Sequence, residues 1–234
     1  MSRHALVERA RRLLAHVERD YAPAAFSSSF GAEDMVVLDL IARDGLASPD
    51  FTLDTGRLPQ ETHALVARAR RHYGIEVAVH SPSPAAVAQY ADRYGMDGFY
   101  DSVEARKACC AVRKVEPLRR ALARKRGWVT GLRREQSDTR TGLAESAFDA
   151  GFGVWKFNPL ADWSDEDVWA YLREHGVPYS ALHDRGYPSI GCEPCTRAVK
   201  PGEHPRAGRW WWEEARARKE CGLHEIPVKV LENA

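Results

Sequence analysis

Short apolar runs alternate with amphipathic stretches through the first two-thirds of this chain, and most of the runs end in polar loops. "PAAFSSSF" (23–30) reads as a strand entering a serine-rich loop, with "AEDMVVLDLIARDG" as the helix after it. "DFTLDTG" then "PQETHALVARARRHYG", and "IEVAVHSP" then "PAAVAQYADRYG", repeat the pair. "SVEARKACCAVRKVEPLRRALARKRG" is helical with an interruption or restart at Pro117, because proline lacks the N–H and clashes with the preceding turn. "GWVTGLRREQS" is a fourth strand ending in a basic loop. "VWKFNPLADW" resumes as a strand, before a helix capped by Ser164 and stopped by Gly176 and Pro178. Such a rhythm demands βαβ units, so the expected fold class is α/β: a single domain with a mainly parallel sheet flanked by helices. After Pro178 the periodicity fails and the chain becomes rich in Gly, Pro and Arg. The expected division is therefore 1–200 as the α/β domain and 201–234 as an irregular, mobile C-terminal tail.

At 234 residues such a domain buries enough surface to need no disulfides. The 34 basic residues against 33 acidic ones give +1, which offers no general case for nucleic acid or a membrane surface. Any anion site must therefore be local. The opening "MSRHALVERARRLLAHVERDY" is an amphipathic helix, with Leu6, Ala10, Leu13, Leu14 and Val17 on one face, and lacks the apolar core of a signal peptide. A cytoplasmic location is expected. There thiols stay reduced, and an odd set of five cysteines more often binds metal or reacts than pairs.

Four of the five are grouped, as Cys109–Cys110 and Cys192-x-x-Cys195. A CxxC alone is ambiguous among zinc, iron–sulfur and redox roles. Adjacent helical side chains diverge by about 100°, so both can serve one centre only if it is wide or the helix is distorted nearby. A tetrahedral zinc, with thiolates roughly 2.3 Å from one atom, accepts that pair poorly, whereas a 4Fe–4S cube offers separate corners. Two buried helix cysteines and an unrelated CxxC is the plainer alternative.

The loops "FSSSFGAED", "LDTGRLPQET" and "GLRREQSDTR" each follow a strand. Hydroxyls and unpaired N–H groups at a helix start form an anion site, and ligands of open parallel sheets bind at the strands' C-terminal edge. Any one of these loops is weak evidence; their convergence carries the expectation.

Taken together, "SSSFGAED", "LDTGR", "KACCAVRKVEPL", "GLRREQS", "GCEPCTR", "GRWWWE" and "ECGLH" resemble the assimilatory sulfonucleotide reductases, and within them the iron–sulfur adenosine 5′-phosphosulfate (APS) reductases. The resemblance runs from about Phe26 to His224. It implies a fold like that of the adenine-nucleotide α-hydrolases and one 4Fe–4S cluster on Cys109, Cys110, Cys192 and Cys195. Cys221 would be the nucleophile, with Lys114 and His224 assisting. Arg134, Arg140, Arg206, Arg209 and His224 would surround the phosphosulfate. Ser27, Ser28, Ser29, Leu53, Thr55, Gly56 and Gly131 would border the nucleotide. Trp210, Trp211 and Trp212 are read as anchoring the tail by burial.

Thiolate attack on the sulfate sulfur would expel AMP and leave a cysteine S-sulfonate, which a second thiol then opens. Thioredoxin, or a glutaredoxin-like protein, is the reductant this implies, and a cysteine kept apart from the metal set can move between the two steps. A homo-oligomer is compatible with the sequence. Rival readings are the same reaction on the 3′-phosphorylated donor (PAPS) or on both donors, an ATP-dependent tRNA-thiolating enzyme of the same fold, and a non-enzymatic iron–sulfur sensor in which Cys221 is incidental.

Overall fold

The structure, a computed structural model, describes residues 1–47, 50–137, 140–213 and 223. Six strands form one sheet in the order β3-β2-β1-β4-β6-β5: β1 (Ala24–Ser27), β2 (Asp50–Leu53), β3 (Val77–His80), β4 (Gly127–Val129), β5 (Ser146–Asp149) and β6 (Val154–Phe157). All neighbours pair in parallel except β5, which runs antiparallel to β6 along the edge. The α/β expectation is met. β5 was not foreseen, because three of its four residues are exposed and no hydrophobic alternation marks it.

Strand alternation divides the core into two layers. Phe26 and Val129 pack on one face with α1 (Arg3–Asp20), α2 (Ala32–Arg43), α3 (Gln60–Tyr73) and α7 (Asp165–Glu174). Ala25, Phe51 and Trp128 point to the other, against Leu118 and Leu122 of α6 (Glu116–Leu122). α1 buries Leu6, Ala10, Leu14 and Val17 as its periodicity predicts. α2 is buried almost all round, and its most deeply enclosed charge, Asp39, accepts from Tyr73 Oη at 3.0 Å, Tyr171 Oη at 2.7 Å and Arg43 Nε at 2.6 Å. Ser164 caps α7 reciprocally with Asp167, and Gly176 (φ 61°) follows its end.

Two shorter helices, α4 (Pro84–Tyr94) and α5 (Val103–Cys110), lead to the cysteines. α5 runs directly into a π-helical turn at Ala111–Val115, and α6 restarts with Pro117 in its first turn. The aperiodic region after Pro178 is held by scattered backbone bonds, such as Glu193 N to Arg57 O (2.8 Å) and Trp210 N to Cys195 O (3.1 Å). Residues 201–213 remain joined to it by a bridge between Thr196 and Arg209. Among the described residues, no helix is long and apolar enough to cross a membrane.

Candidate active site

A cleft of about 910 Å³ opens where the loops after β1, β2 and β4 meet, at the point where the strand order reverses. Its floor is set by the serine loop. Ser27 Oγ accepts from Trp128 Nε1 at 2.7 Å, and Ser28 Oγ accepts from the N–H of Phe30, which sits at φ 58°. Asp34, in the first turn of α2, accepts from Ser29 N and Ser29 Oγ (both 2.6 Å) and from Gly131 N (3.1 Å). One carboxylate thereby ties the β1 loop to the β4 loop. A side chain at Gly131 would overlap Asp34, which explains the glycine. Burial pushes the Asp34 carboxyl up to about 6, against the three hydrogen bonds that favour its charge.

Ser27, Ser28, Ser29, Leu53, Thr55, Gly131, Lys114, Arg140, Arg206 and Arg209 all line this cleft. Gly56 does not; it is an exposed turn residue at φ 68°, beside Arg113. Arg134 does not line it either: its guanidinium bonds Leu143 O at 2.7 Å and pairs with Asp162. The neighbouring Arg133 does face the cleft, but it is buried in a network with Glu33 (2.8 Å), Asp165 (3.1 Å) and Trp163 O (3.2 Å). Burial opposes the Glu33 charge, but Arg133 and Gln136 outweigh it and hold that carboxyl below its usual range. Arg209 reaches in over Gly191, where any side chain would strike its guanidinium. It donates to Ser189 Oγ (3.3 Å) and Ile190 O (3.2 Å), while its buried Nε finds no partner among the described residues. Such a donor, with Arg140 and Arg206 on the same walls, suits an anionic ligand.

The four grouped cysteines are buried and line one small cavity with Arg57, Arg106, Arg113, Lys114 and Trp210. One of the two conditions under which an adjacent pair can share a centre, a distorted helix, is present: the π-turn begins immediately after Cys110. Among the described residues, no group of three or more His, Cys, Asp or Glu is arranged to hold a metal ion. The cysteines share a cavity wall rather than converge on a point. Burial opposes ionisation of Cys192, yet Lys114, the Thr55 hydroxyl (3.2 Å), Arg209 and Arg113 outweigh it and draw the thiol below its ordinary value. Burial raises Cys109, and it pushes Cys195 up to about 12 with the Cys192 charge adding to it. The nearby cations thus favour the Cys192 thiolate; a set of four thiolates needs a positive centre of its own.

Lys114 and Trp210 line both cavities. Trp210 (φ 44°) is fully buried between Arg106 and Arg209, whose guanidinium carbons lie 4.6 and 4.8 Å from its ring centre. Arg106 in turn pairs with Glu213 at 2.5 Å with both side chains buried, so the chain is pinned eight residues before Cys221. Of the three tryptophans read as anchors, only Trp210 is fully enclosed; Trp211 is 48% exposed. Cys221 and His224 lie outside the described residues. Leu223, two positions after Cys221, lines the cleft and packs with Leu118 and Trp128.

Sequence reasoning missed Asp34, Trp128, Trp169 and His183 on the cleft walls. Asp34 was within reach, as one of two acidic residues ending a stretch otherwise read as anion-binding; the others become neighbours of the loops only through the sheet order.

Residues 23–198 match the profile of the phosphoadenosine phosphosulfate reductase domain. The chain is 58% identical over 212 residues to a protein of Allochromatium vinosum named adenosine 5′-phosphosulfate reductase, a match covering 91% of this chain and 82% of that one. A protein of the same name from Burkholderia cepacia is 53% identical over 227 residues, covering 97% and 90%. Among solved structures, phosphoadenylyl-sulfate (PAPS) reductase from Candida auris, in a phosphate complex, aligns with a TM-score of 0.66 at 27% identity, covering 84% of this chain and 94% of that one. Yeast FAD synthetase in complex with FAD aligns at 0.59 and 16% identity, covering 84% and 67%, a likeness of fold alone.

Proposed function

The chain belongs to the phosphoadenosine phosphosulfate reductase family, and from that membership we propose that it reduces APS to sulfite and AMP in sulfate assimilation. The observation that carries this is the junction of two cavities at Lys114: an arginine- and serine-lined cleft at the sheet's switch point, and a chamber walled by four cysteines.

The Cys221 thiolate attacks the sulfate sulfur. The bond from that sulfur to the bridging oxygen breaks, and AMP departs with the electron pair. Cys221 is left as an S-sulfonate. A thiolate of a reduced thioredoxin or glutaredoxin-like protein then attacks the Cys221 sulfur and sulfite leaves with its bonding pair. The partner's second thiol resolves the mixed disulfide, so two electrons from one dithiol take sulfur from sulfate to sulfite. The cytoplasm, where such dithiols are kept reduced, is the fitting compartment.

The serine loop, Leu53 and Gly131 border the nucleotide. Arg140, Arg206 and Arg209 offset the phosphosulfate charge, most of all as the leaving phosphate gains its electron pair. Lys114 stands nearest the reacting sulfonyl, and His224 serves beside Cys221. Cys109, Cys110, Cys192 and Cys195 hold a 4Fe–4S cluster, which the π-turn and their shared cavity suit. When bound, its positive core would keep the four cysteines as thiolates, and the net negative assembly would hold the Lys114 ammonium in place rather than pass electrons to the substrate. The region 201–234 carries the nucleophile between the two steps.

The test is turnover with reduced thioredoxin. AMP and sulfite should form in equal amounts from APS, and Cys221→Ser should abolish both. Preferential turnover of PAPS would move the assignment to that donor, and turnover of neither would leave the sensor.

A further inference from the structure

Exposed large apolar side chains are few among the described residues, and several gather beside the cysteine chamber. Met96 is 63% exposed, Tyr100 40%, Val103 42% and Trp211 48%. The two segments that carry them meet through aromatic contacts: Tyr100 packs on Trp212 at 4.5 Å between ring centres, and Trp212 on Trp211 at 5.7 Å. The surface is also rigidly backed. Tyr100 Oη donates to the carbonyl of Pro194 within the CxxC loop at 3.0 Å, and Arg57 bonds Met96 O at 2.5 Å while stacking on Phe99. None of the four exposed residues lines the nucleotide cleft, so substrate binding does not account for them. An apolar surface rich in aromatic residues and Met, with Asp97 and Glu104 beside it paired to Arg57 and Arg93, has the composition of a protein interface.

What covers it follows from the tether. Glu213 is held by its buried pair with Arg106 and lies one residue beyond Trp212. Cys221 is eight residues further on, and eight extended residues span about 29 Å at most. A protein that attacks the Cys221 S-sulfonate must therefore sit within that distance of Glu213, and this surface lies at the anchor itself. We propose that the surface formed by Met96, Tyr100, Val103 and Trp211 docks the protein dithiol that releases sulfite from Cys221. The partner it fits has an apolar rim around its dithiol. This proposal rests on the reductase reading above.

Two substitutions test it while leaving the cleft intact. Trp211→Ala removes exposed area. Val103→Glu places a charge in the surface at the first residue of α5, where an acid also favours the helix. For each variant three rates are measured: S-sulfonate formation from APS without reductant, its release by dithiothreitol, and its release by reduced thioredoxin. The surface should be visible only in the third, slowed about tenfold, as for an interface hot spot. Should Trp211→Ala also disturb S-sulfonate formation, Val103→Glu alone decides. Thioredoxin release at the parental rate overturns the proposal, as does an altered oligomeric state with that rate unchanged, which would assign the surface to a second copy of this chain. Failure of the parent protein to form any S-sulfonate removes the reductase reading first, and the docking site loses its occupant with it.

Discussion

Asp34 places a carboxylate beside a loop read as an anion site, and its three accepted hydrogen bonds give the reason: it sets the separation of the serine loop from Gly131. Asn in its place can accept from only one oxygen, so Asp34→Asn should cut kcat/KM for APS by about 10- to 100-fold, the scale of a slightly misplaced substrate. The acid limb of the pH profile reports the same residue. Because burial raises its folded pKa to about 6, the term it adds to stability is present in acid and lost as pH rises through 6. Activity runs the other way, since protonation weakens the loop tie; kcat/KM should fall as pH drops through 6, and that limb should vanish in Asp34→Asn. Arg133 and Arg134 make a sharper contrast. Arg133→Ala leaves the partly buried Glu33 without its main partner and should cost about 3 kcal/mol in urea unfolding. Arg134→Ala breaks a half-exposed pair and should cost less than ~1 kcal/mol. The residue types at the site were legible in "GLRREQS", but which adjacent arginine turns inward depends on Glu33 and Asp165, 100 and 32 residues away.

The π-helical turn at Ala111–Val115 is the element on which the cysteine chamber depends. A regular helix would rotate everything after Cys110 relative to it by about 100° per residue removed. Deleting Val112 should therefore swing Lys114 away from Cys192 and leave purified protein with little iron or acid-labile sulfide, readable by direct chemical analysis. The adjacent cysteines called for either a wide centre or a distorted helix; the π-turn itself could not be read, since no local pattern distinguishes it from an α-turn. At the CxxC end, Gly191 is the clearance for Arg209. Gly191→Ala should raise KM for APS about tenfold or more with iron content retained, which would separate the anion site from the chamber.

At the scale of the molecule, strands β1 to β4 and β6, their polar loops and the amphipathic α1 were legible because apolar periodicity and loop composition are local signals. The order that sets β1 beside both β2 and β4 was not, because pairing partners are chosen by long-range packing; nor was the edge strand β5. That order brings the three loops to one cleft and puts the cysteine chamber behind it, with the chain pinned at Arg106–Glu213 before the nucleophile. The central claim is that this arrangement serves a sulfonyl transfer to Cys221. Intact-protein mass spectrometry of reduced, cluster-replete protein incubated with APS and no thioredoxin tests it most directly, beside a Cys221→Ser control. The account predicts a gain of one SO₃ group that maps to Cys221, is absent from the control and disappears when reduced thioredoxin is added. An unmodified Cys221 while APS is nonetheless consumed, or an adduct that persists in Cys221→Ser, would contradict it.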